Sequence, residues 1–303
     1  MFFSGERPMQ PPAGAIVGVG EVLWDLLPSG RQLGGAPLNF VFHCHQLGHA
    51  AVMVSRVGRD ELGRDIRAAL RERGLTDAFV QEDSDRPTGT VHVALGEGGQ
   101  PEFTIVEDVA YDHLTPEPAW DALFGQAVAV CFGTLVQRDP GGRAAVQRAL
   151  ALARNALTVY DVNLRQHCYD RATVEASLRA SRWVKMNDDE LTVLRDFLQL
   201  RGKTPSVTLR DLRRRFAVEL ACVTRGERGC LVQTDDEEIA VPGQSVQVVD
   251  TVGAGDAFTA GLLVTTLEGR TLAEAATFAN RLAGKVAASA GGTPVIDRKE
   301  IER

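Results

Sequence analysis

The chain has 303 residues, 44% hydrophobic and 24% charged, an ordinary globular composition with length enough for a large α/β domain and a substantial core. A formal net charge of −7, with no long Lys/Arg-rich tract, argues against a nucleic-acid partner. No apolar run approaches the about 20 residues that cross a bilayer, and five scattered cysteines without a CxxC pair form neither a disulfide framework nor a zinc site, so the composition reads as a reduced, cytoplasmic protein.

Residues 1–14 contain Pro8, Pro11 and Pro12 and no hydrophobic signal core. They read as a flexible leader before a single domain spanning 15–303. The apolar run from Ala15 to Gly20 predicts a buried strand that continues into Glu21-Val-Leu-Trp-Asp25, followed by a turn at Pro28-Ser-Gly30. A helix is expected from Leu38 to Leu47, stopped by Gly48. Within it, His43 and His45 are two apart and point to different helix faces, so they do not chelate one ion. A strand over Ala51–Val57 and a charged amphipathic helix over Asp60–Arg73 complete a βαβ rhythm, which predicts a largely parallel sheet.

Residues 88–107 interrupt that rhythm. Thr88–Leu95, a turn at Gly96–Gly99, and Glu102–Val106 read as a β-hairpin. With residues 21–33 it would make a small β flap; the plainer alternative is an edge hairpin of the main sheet. Alternation then resumes with a strand at Ala127–Phe132, a helix at Gly141–Ala153 and a strand at Leu157–Val162 that ends near Asn163 and Arg165. A strand at Trp183–Met186 runs into Asn187, and a helix covers Asp188–Leu200. The Arg210, Arg213, Arg214, Arg215 run reads as a solvated helix face. Strands at Leu220–Thr224 and Gly229–Gln233 follow, then helices at Thr259–Leu267 and Leu272–Ala288. Cys131 and Cys222 sit in apolar strand runs and are expected in the core.

Familiar nucleotide motifs fail on context. Gly18-Val-Gly20 lacks the third glycine and the following helix of a dinucleotide fingerprint. There is no GxxxxGK[ST] loop and no protein-kinase HRD or DFG set. The most informative stretch is instead Asp250-Thr-Val-Gly-Ala-Gly-Asp-Ala-Phe258. Here Asp256 follows a small flexible turn and an apolar helical pattern begins. A helix N-terminus offers unpaired amides and a partial positive charge to an anion. A carboxylate beside it suits removal of a proton from a hydroxyl that attacks a phosphoryl group. The competing reading is an Asp that merely caps the helix.

Other polar residues stand at strand ends: Asp25, Gly34, Gly35 and Asn39 near the front, Asn163 and Arg165 after one central strand, Asn187 and Glu190 after the next, and Thr224 to Gly229 later. In an open parallel sheet, ligands bind at the carboxyl ends of the strands, so these pieces converge on one crevice. Asn187 and Glu190 also satisfy a capping box, and the two roles are compatible.

On these residues the chain resembles the PfkB, or ribokinase-like, carbohydrate kinases over residues 15–297. Gly34-Gly-Ala-Pro-Leu-Asn39 and the 250–258 stretch carry the resemblance, with Asn187-Asp-Asp-Glu190 and Thr224–Gly229 as further matching elements. Gly20-Glu-Val-Leu-Trp-Asp25, Leu33-Gly-Gly-Ala-Pro37, Phe132-Gly-Thr-Leu135 and Asp161-Val-Asn-Leu-Arg165 look most like bacterial fructokinases. Leu38 stands where many relatives have Ala. The resemblance implies a ribokinase-like three-layer α/β/α fold with a central, mostly parallel sheet and a small β lid from about 21–33 and 88–107. It implies an ATP-dependent phosphotransferase acting on a primary hydroxyl of a small sugar, D-fructose first, with ribose, 2-keto-3-deoxygluconate or another small molecule as alternatives and a non-catalytic sugar-binding paralogue as the rival class. Asp256 would be the base, with Gly253, Ala254 and Gly255 as the anion hole. Asp25, Gly34, Gly35, Asn39 and Arg165 would bind the sugar or phosphate. Asn187, Thr224, Gly226, Gly229 and Asn280 would hold the nucleotide. Glu190 would orient Mg²⁺ through water, and Asp250 and Val252 fall where relatives bind K⁺. Lid-mediated homodimers also occur among relatives.

Overall fold

The computed structural model describes residues 12–28, 30–95 and 101–302. Most of the expected leader, Ser29 and the expected turn at 96–99 lie outside them. The chain enters through β1 (Ile16–Val19), crosses to β2 (Leu23–Leu27) and β3 (Gly30–Gly34), and returns by α1 (Ala36–Gln46) to β4 (Ala51–Gly58), α2 (Glu61–Glu72) and β5 (Val80–Asp83). A second excursion forms β6 (Thr90–Leu95) and β7 (Pro101–Ile105). Then follow α3 (Ala119–Gly125), β8 (Ala129–Phe132), α4 (Pro140–Leu152), β9 (Leu157–Asp161), α5 (Arg171–Ala180), β10 (Trp183–Asn187), α6 (Asp188–Leu198) and α7 (Pro205–Phe216). The chain closes with β11 (Leu220–Thr224), β12 (Cys230–Gln233), β13 (Glu238–Val241), α8 (Ala254–Leu267), α9 (Leu272–Ala287) and α10 (Arg298–Glu302).

Nine strands make the large sheet in the order β13-β12-β11-β10-β9-β8-β1-β4-β5. Its pairings are parallel except where β12 meets β11 and β13. The central strands β1 and β8 are buried at every position, as a parallel sheet covered on both faces requires. One face packs against Leu38 and Phe40 of α1, Ile66 of α2, Phe258 and Leu262 of α8 and Phe278 of α9. The other packs against Trp120 of α3, Val146 of α4, Val174 of α5, Leu194 of α6 and Leu212 of α7. The result is the expected three-layer α/β/α arrangement, with Cys131 and Cys222 buried inside it.

A separate four-stranded sheet has the order β3-β2-β6-β7. Its strands fall within the two interrupting segments, and β6 pairs with β2 rather than with an edge of the large sheet. Leu23, Val91 and Ile105 of this sheet pack with Tyr111 and Leu135 of the main body.

The structure corrects the expected elements in three respects. Helix α8 starts at Ala254, five residues before the expected Thr259, because Gly253 adopts φ 76° and turns the chain into the helix. Asp256 is therefore the third residue of the helix and not its N-cap. Second, the Arg-rich run is not all solvated: Arg210, Arg214 and Arg215 are exposed, but Arg213 is buried. Arg213 donates to the Thr234 carbonyl at 2.5 Å and pairs with Asp235 at 2.8 Å, since it shares the inward face of α7 with Leu209, Leu212 and Phe216. Third, α3, α5, β5, β13 and α10, each of ten residues or fewer, have no counterpart in the sequence-based reading. Among the described residues no helix is long and apolar enough to cross a membrane.

Candidate active site

A cavity of about 650 Å³ opens between the carboxyl ends of β9, β10 and β11, the first turns of α1 and α8, and the small sheet. This is where an open parallel sheet offers its loops to a ligand. Asp25, Gly35 and Asn39 line one side, Asn163, Arg165, Asn187, Glu190 and Thr224 another, and Val252, Gly253, Gly255 and Asp256 the floor. Val91, Phe103 and Ile105 of the small sheet cover it.

Asp256 is buried, and Asn39 Nδ2 donates to its Oδ2 at 2.8 Å across 217 residues of sequence. Burial raises the Asp256 pKa, the neighbouring Asp161 carboxylate adds to the rise, and Lys185, Asn39 and Arg165 oppose it. Asn39 is set by its own helix, where its amide donates to the Gly35 carbonyl at 2.9 Å. The second glycine of the pair before that helix is sterically required. Gly35 has φ 113°, and a Cβ there would stand 2.4 Å from the Glu21 carbonyl oxygen. A Cβ at Gly34 would stand 2.4 Å from Asp25 Oδ2, so the bare backbone lets Asp25 lie against the turn. The Asp25 carboxyl is pushed up to about 6 by burial and then by the Asp250 charge.

Asn187 and Glu190 form the capping box of α6. The Glu190 amide donates to Asn187 Oδ1 at 2.8 Å, and the Asn187 amide donates to Glu190 Oε2 at 2.8 Å. The other Glu190 oxygen accepts the Leu164 amide at 3.0 Å, which ties the loop after β9 to this corner. Thr224 lies beside Asn187 in the β10–β11 register. Arg165 is exposed and has no carboxylate partner among the described residues.

Some expected residues lie off the cavity wall. Gly34 and Ala254 flank it without lining it, and the Ala254 amide is directed to the Thr251 carbonyl at 3.3 Å. Gly226, Gly229 and Asn280 do not line it either, and the last two sit against the 241–243 segment: Asn280 donates to the Pro242 carbonyl at 2.9 Å, and a Cβ at Gly229 would stand 1.9 Å from the Val241 oxygen. Asp250 ties two loops together, accepting the Val252 amide at 3.0 Å and the Gly291 amide at 3.1 Å. His43 supports the second of these loops. Burial lowers its pKa to about 4, so it is neutral at pH 7 and donates through Nε2 to the Gly292 carbonyl at 3.0 Å. Among the described residues no cluster of three or more His, Cys, Asp or Glu side chains is placed to hold a metal directly.

Two cavity residues, Glu21 and Lys185, are not singled out by the sequence motifs. Glu21 follows the buried β1, is itself buried, and leaves Oε2 without a hydrogen-bond partner among the described residues. Burial pushes its carboxyl up to about 7. Lys185 sits inside the apolar β10, next to Asp161 in the β9–β10 register, and its Nζ donates to both Asp161 oxygens at 3.1 and 3.2 Å. The available signal for both is a charged residue inside, or directly after, an otherwise apolar strand.

Chemically, the site offers a buried carboxylate in the first turn of a helix, whose free amides favour an anion beside it. Opposite stand hydrogen-bonding groups suited to a polyol. Proteins of known sequence and structure resemble the chain over nearly its whole length. Fructokinase-1 of Oryza sativa subsp. japonica is 31% identical over 306 aligned positions, covering 92% of this chain and 93% of that one. The structure of an uncharacterized sugar kinase from Pyrococcus horikoshii superposes with a TM-score of 0.80 at 26% identity, covering 95% of this chain and 96% of that one, and that kinase has also been solved in complex with ATP. A Vibrio cholerae fructokinase, solved with fructose and ADP, shares the fold with a TM-score of 0.81 at 24% identity, covering 96% of this chain and 98% of that one. The profile of the pfkB family carbohydrate kinases matches residues 30–298, and the chain belongs to that family of sugar kinases.

Proposed function

We propose that the protein is an ATP-dependent fructokinase. The observation that carries this reading is the pairing of Asp256, in the first turn of α8, with Asn39, in the first turn of α1, across the wall of one cavity. In this reading Asp25, Asn39 and the Gly34–Gly35 turn hold the sugar. A primary hydroxyl then lies against Asp256. The proton of that hydroxyl passes to the carboxylate as the alcohol oxygen bonds to the γ-phosphorus of ATP and the bond to the β,γ-bridging oxygen breaks, releasing ADP. The amides of Gly253 and Gly255 receive the phosphoryl oxygens, and each such donor is worth roughly 3 kcal/mol in a water-excluded site. Arg165, at the cavity mouth, supplies a further cation for phosphate.

Asn187 and Thr224 would stand at the ATP phosphates, with Gly226, Gly229 and Asn280 lining the approach of the nucleoside. Mg²⁺ carried on the ATP would neutralise phosphate charge. Glu190, whose two oxygens already accept main-chain amides, fits a role beyond the metal's own waters rather than as a direct ligand. The two loops joined by Asp250 would supply the carbonyls for a bound K⁺, near Asp250 and Val252. The small sheet would act as a lid that keeps water from the γ-phosphoryl. The buried free thiols of Cys44, Cys131, Cys222 and Cys230 fit a reducing compartment such as the cytoplasm.

The fructokinase resemblance and the rice relative favour fructose over other acceptors. The test is ADP release with fructose, ribose, 2-keto-3-deoxygluconate and nucleosides offered in parallel. Fructose should give the highest kcat/KM. Turnover of another acceptor with fructose inert moves the protein to a different small-molecule kinase of the family. No turnover with any of them would support a sugar-binding paralogue, although the intact Asp256 and Gly-Ala-Gly turn argue against that.

A further inference from the structure

We propose that Lys185 is a second catalytic group of this site, donating a charged hydrogen bond to an oxygen of the phosphoryl group in transit. The inference rests on the reading of the α8 N-terminus as the place that receives the γ-phosphoryl.

Three observations lead to it. First, the Lys185 ammonium lies against the helix turn itself: a Cβ at Gly255 would stand 2.6 Å from Lys185 Nζ. Second, the ammonium is fixed in place. Lys185 is 8% exposed, and its partner Asp161 is itself held by Thr259 Oγ1, which donates to Asp161 Oδ2 at 2.9 Å. An ammonium has three N–H donors, and the two directed at Asp161 leave one for a ligand. Third, among the described residues Lys185 and Arg165 are the two cationic ones on the cavity wall, and of these Lys185 is the buried one. A cation that needs no reorganisation during the reaction stabilises developing charge most effectively.

Burial pushes against the charged form of Lys185, but Asp161, Glu190 and Asp256 together hold its pKa above the ordinary lysine range. The ammonium therefore keeps its proton throughout. As the bond from the γ-phosphorus to the bridging oxygen breaks and the bond to the sugar oxygen forms, Lys185 donates to a non-bridging oxygen and transfers nothing. The sugar proton goes to Asp256.

The competing role is a counter-ion for Asp161 alone. A double-mutant cycle separates the two. Lys185→Met by itself leaves Asp161 buried and unpaired, and that variant can fail to fold for that reason alone. The informative comparison is therefore Asp161→Asn against Asp161→Asn with Lys185→Met, where position 161 carries no charge to orphan, read across a pH profile because Lys185 also favours the ionised form of Asp256 and a loss through Asp256 would be recovered at higher pH. Removing the ammonium in that background should lower kcat by about 10²–10³-fold and leave the sugar KM within about threefold. A kcat within about threefold of the Asp161→Asn protein would overturn the inference and leave Lys185 as a counter-ion. If Asp256→Asn abolishes turnover in the same assay, the kinase reading survives that failure. If the wild type phosphorylates no sugar, the proposed function and this inference fall together.

Discussion

Glu21 shows how a single residue sets the balance between stability and function. Its carboxyl is buried just beyond the central strand β1, with one oxygen unpartnered among the described residues, and its pKa in the fold is about 7 against an ordinary value of 4.5. A carboxyl whose pKa rises on folding binds its proton more tightly in the native state. Its contribution is fully favourable below the unfolded pKa and is lost as the pH rises through about 7. The penalty at pH 8 is of order 3 kcal/mol, from about 1.4 kcal/mol for each tenfold change in proton affinity. Glu21→Gln keeps the shape and removes the charge. We therefore expect the variant to be more stable than the wild type at pH 8 and close to it at pH 5, read as denaturation midpoints at both values. A variant equally destabilised at both values would mean that Glu21 makes a native contact it cannot lose.

At the scale of single elements, the start of α8 matters most. Gly253 has φ 76°, and a Cβ there would stand 2.5 Å from the Gly292 Cα, in the loop that Asp250 and His43 support. Gly253→Ala forces a left-handed backbone on alanine and pushes two main-chain segments apart. It should cost about 1–3 kcal/mol of stability and reduce kcat by tenfold or more; a variant with unchanged kcat would remove Gly253 from the anion hole. The sequence marks this stretch as a helix start but places the helix too late. Gly-Ala-Gly has low helix propensity and looks like loop, and only the packing of Gly253 on Gly292 shows that the turn is already helical. By contrast, the α6 capping box is legible from Asn187 and Glu190 alone, because a cap is a local motif whose spacing carries its geometry. Lys185 and Asp161 are illegible as a pair, because their contact exists only once β9 and β10 are in register.

At the scale of the molecule, the site is built from ends: the first turns of α1 and α8 and the loops after β9, β10 and β11, brought together by the sheet order. The alternation of strands and helices announces the parallel sheet and its carboxyl-end crevice. It does not say that Gly229 and Asn280 lie off the cavity wall, since that depends on how the 242–243 loop folds back on both. The small sheet is visible as an interruption of the rhythm, but the sequence shows neither the parallel pairing of β6 with β2 that builds it nor its packing on Tyr111 and Leu135. Phe103 of β7 reaches the cavity, and its carbonyl accepts from Gln166 in the loop after β9. Phe103→Ala should raise the sugar KM about tenfold, the cost of roughly one lost apolar contact set, and increase ADP release in the absence of sugar. Unchanged values would detach the small sheet from catalysis. The most direct measurement compares Asp256→Asn with the wild type for turnover of ATP with D-fructose, alongside calorimetric binding of the sugar. Turnover should fall by about 10³-fold or more, with sugar affinity within a few-fold, because the amide keeps the shape and cannot take the proton. Near-normal turnover by the Asp256→Asn protein would contradict the assignment of this carboxylate as the base.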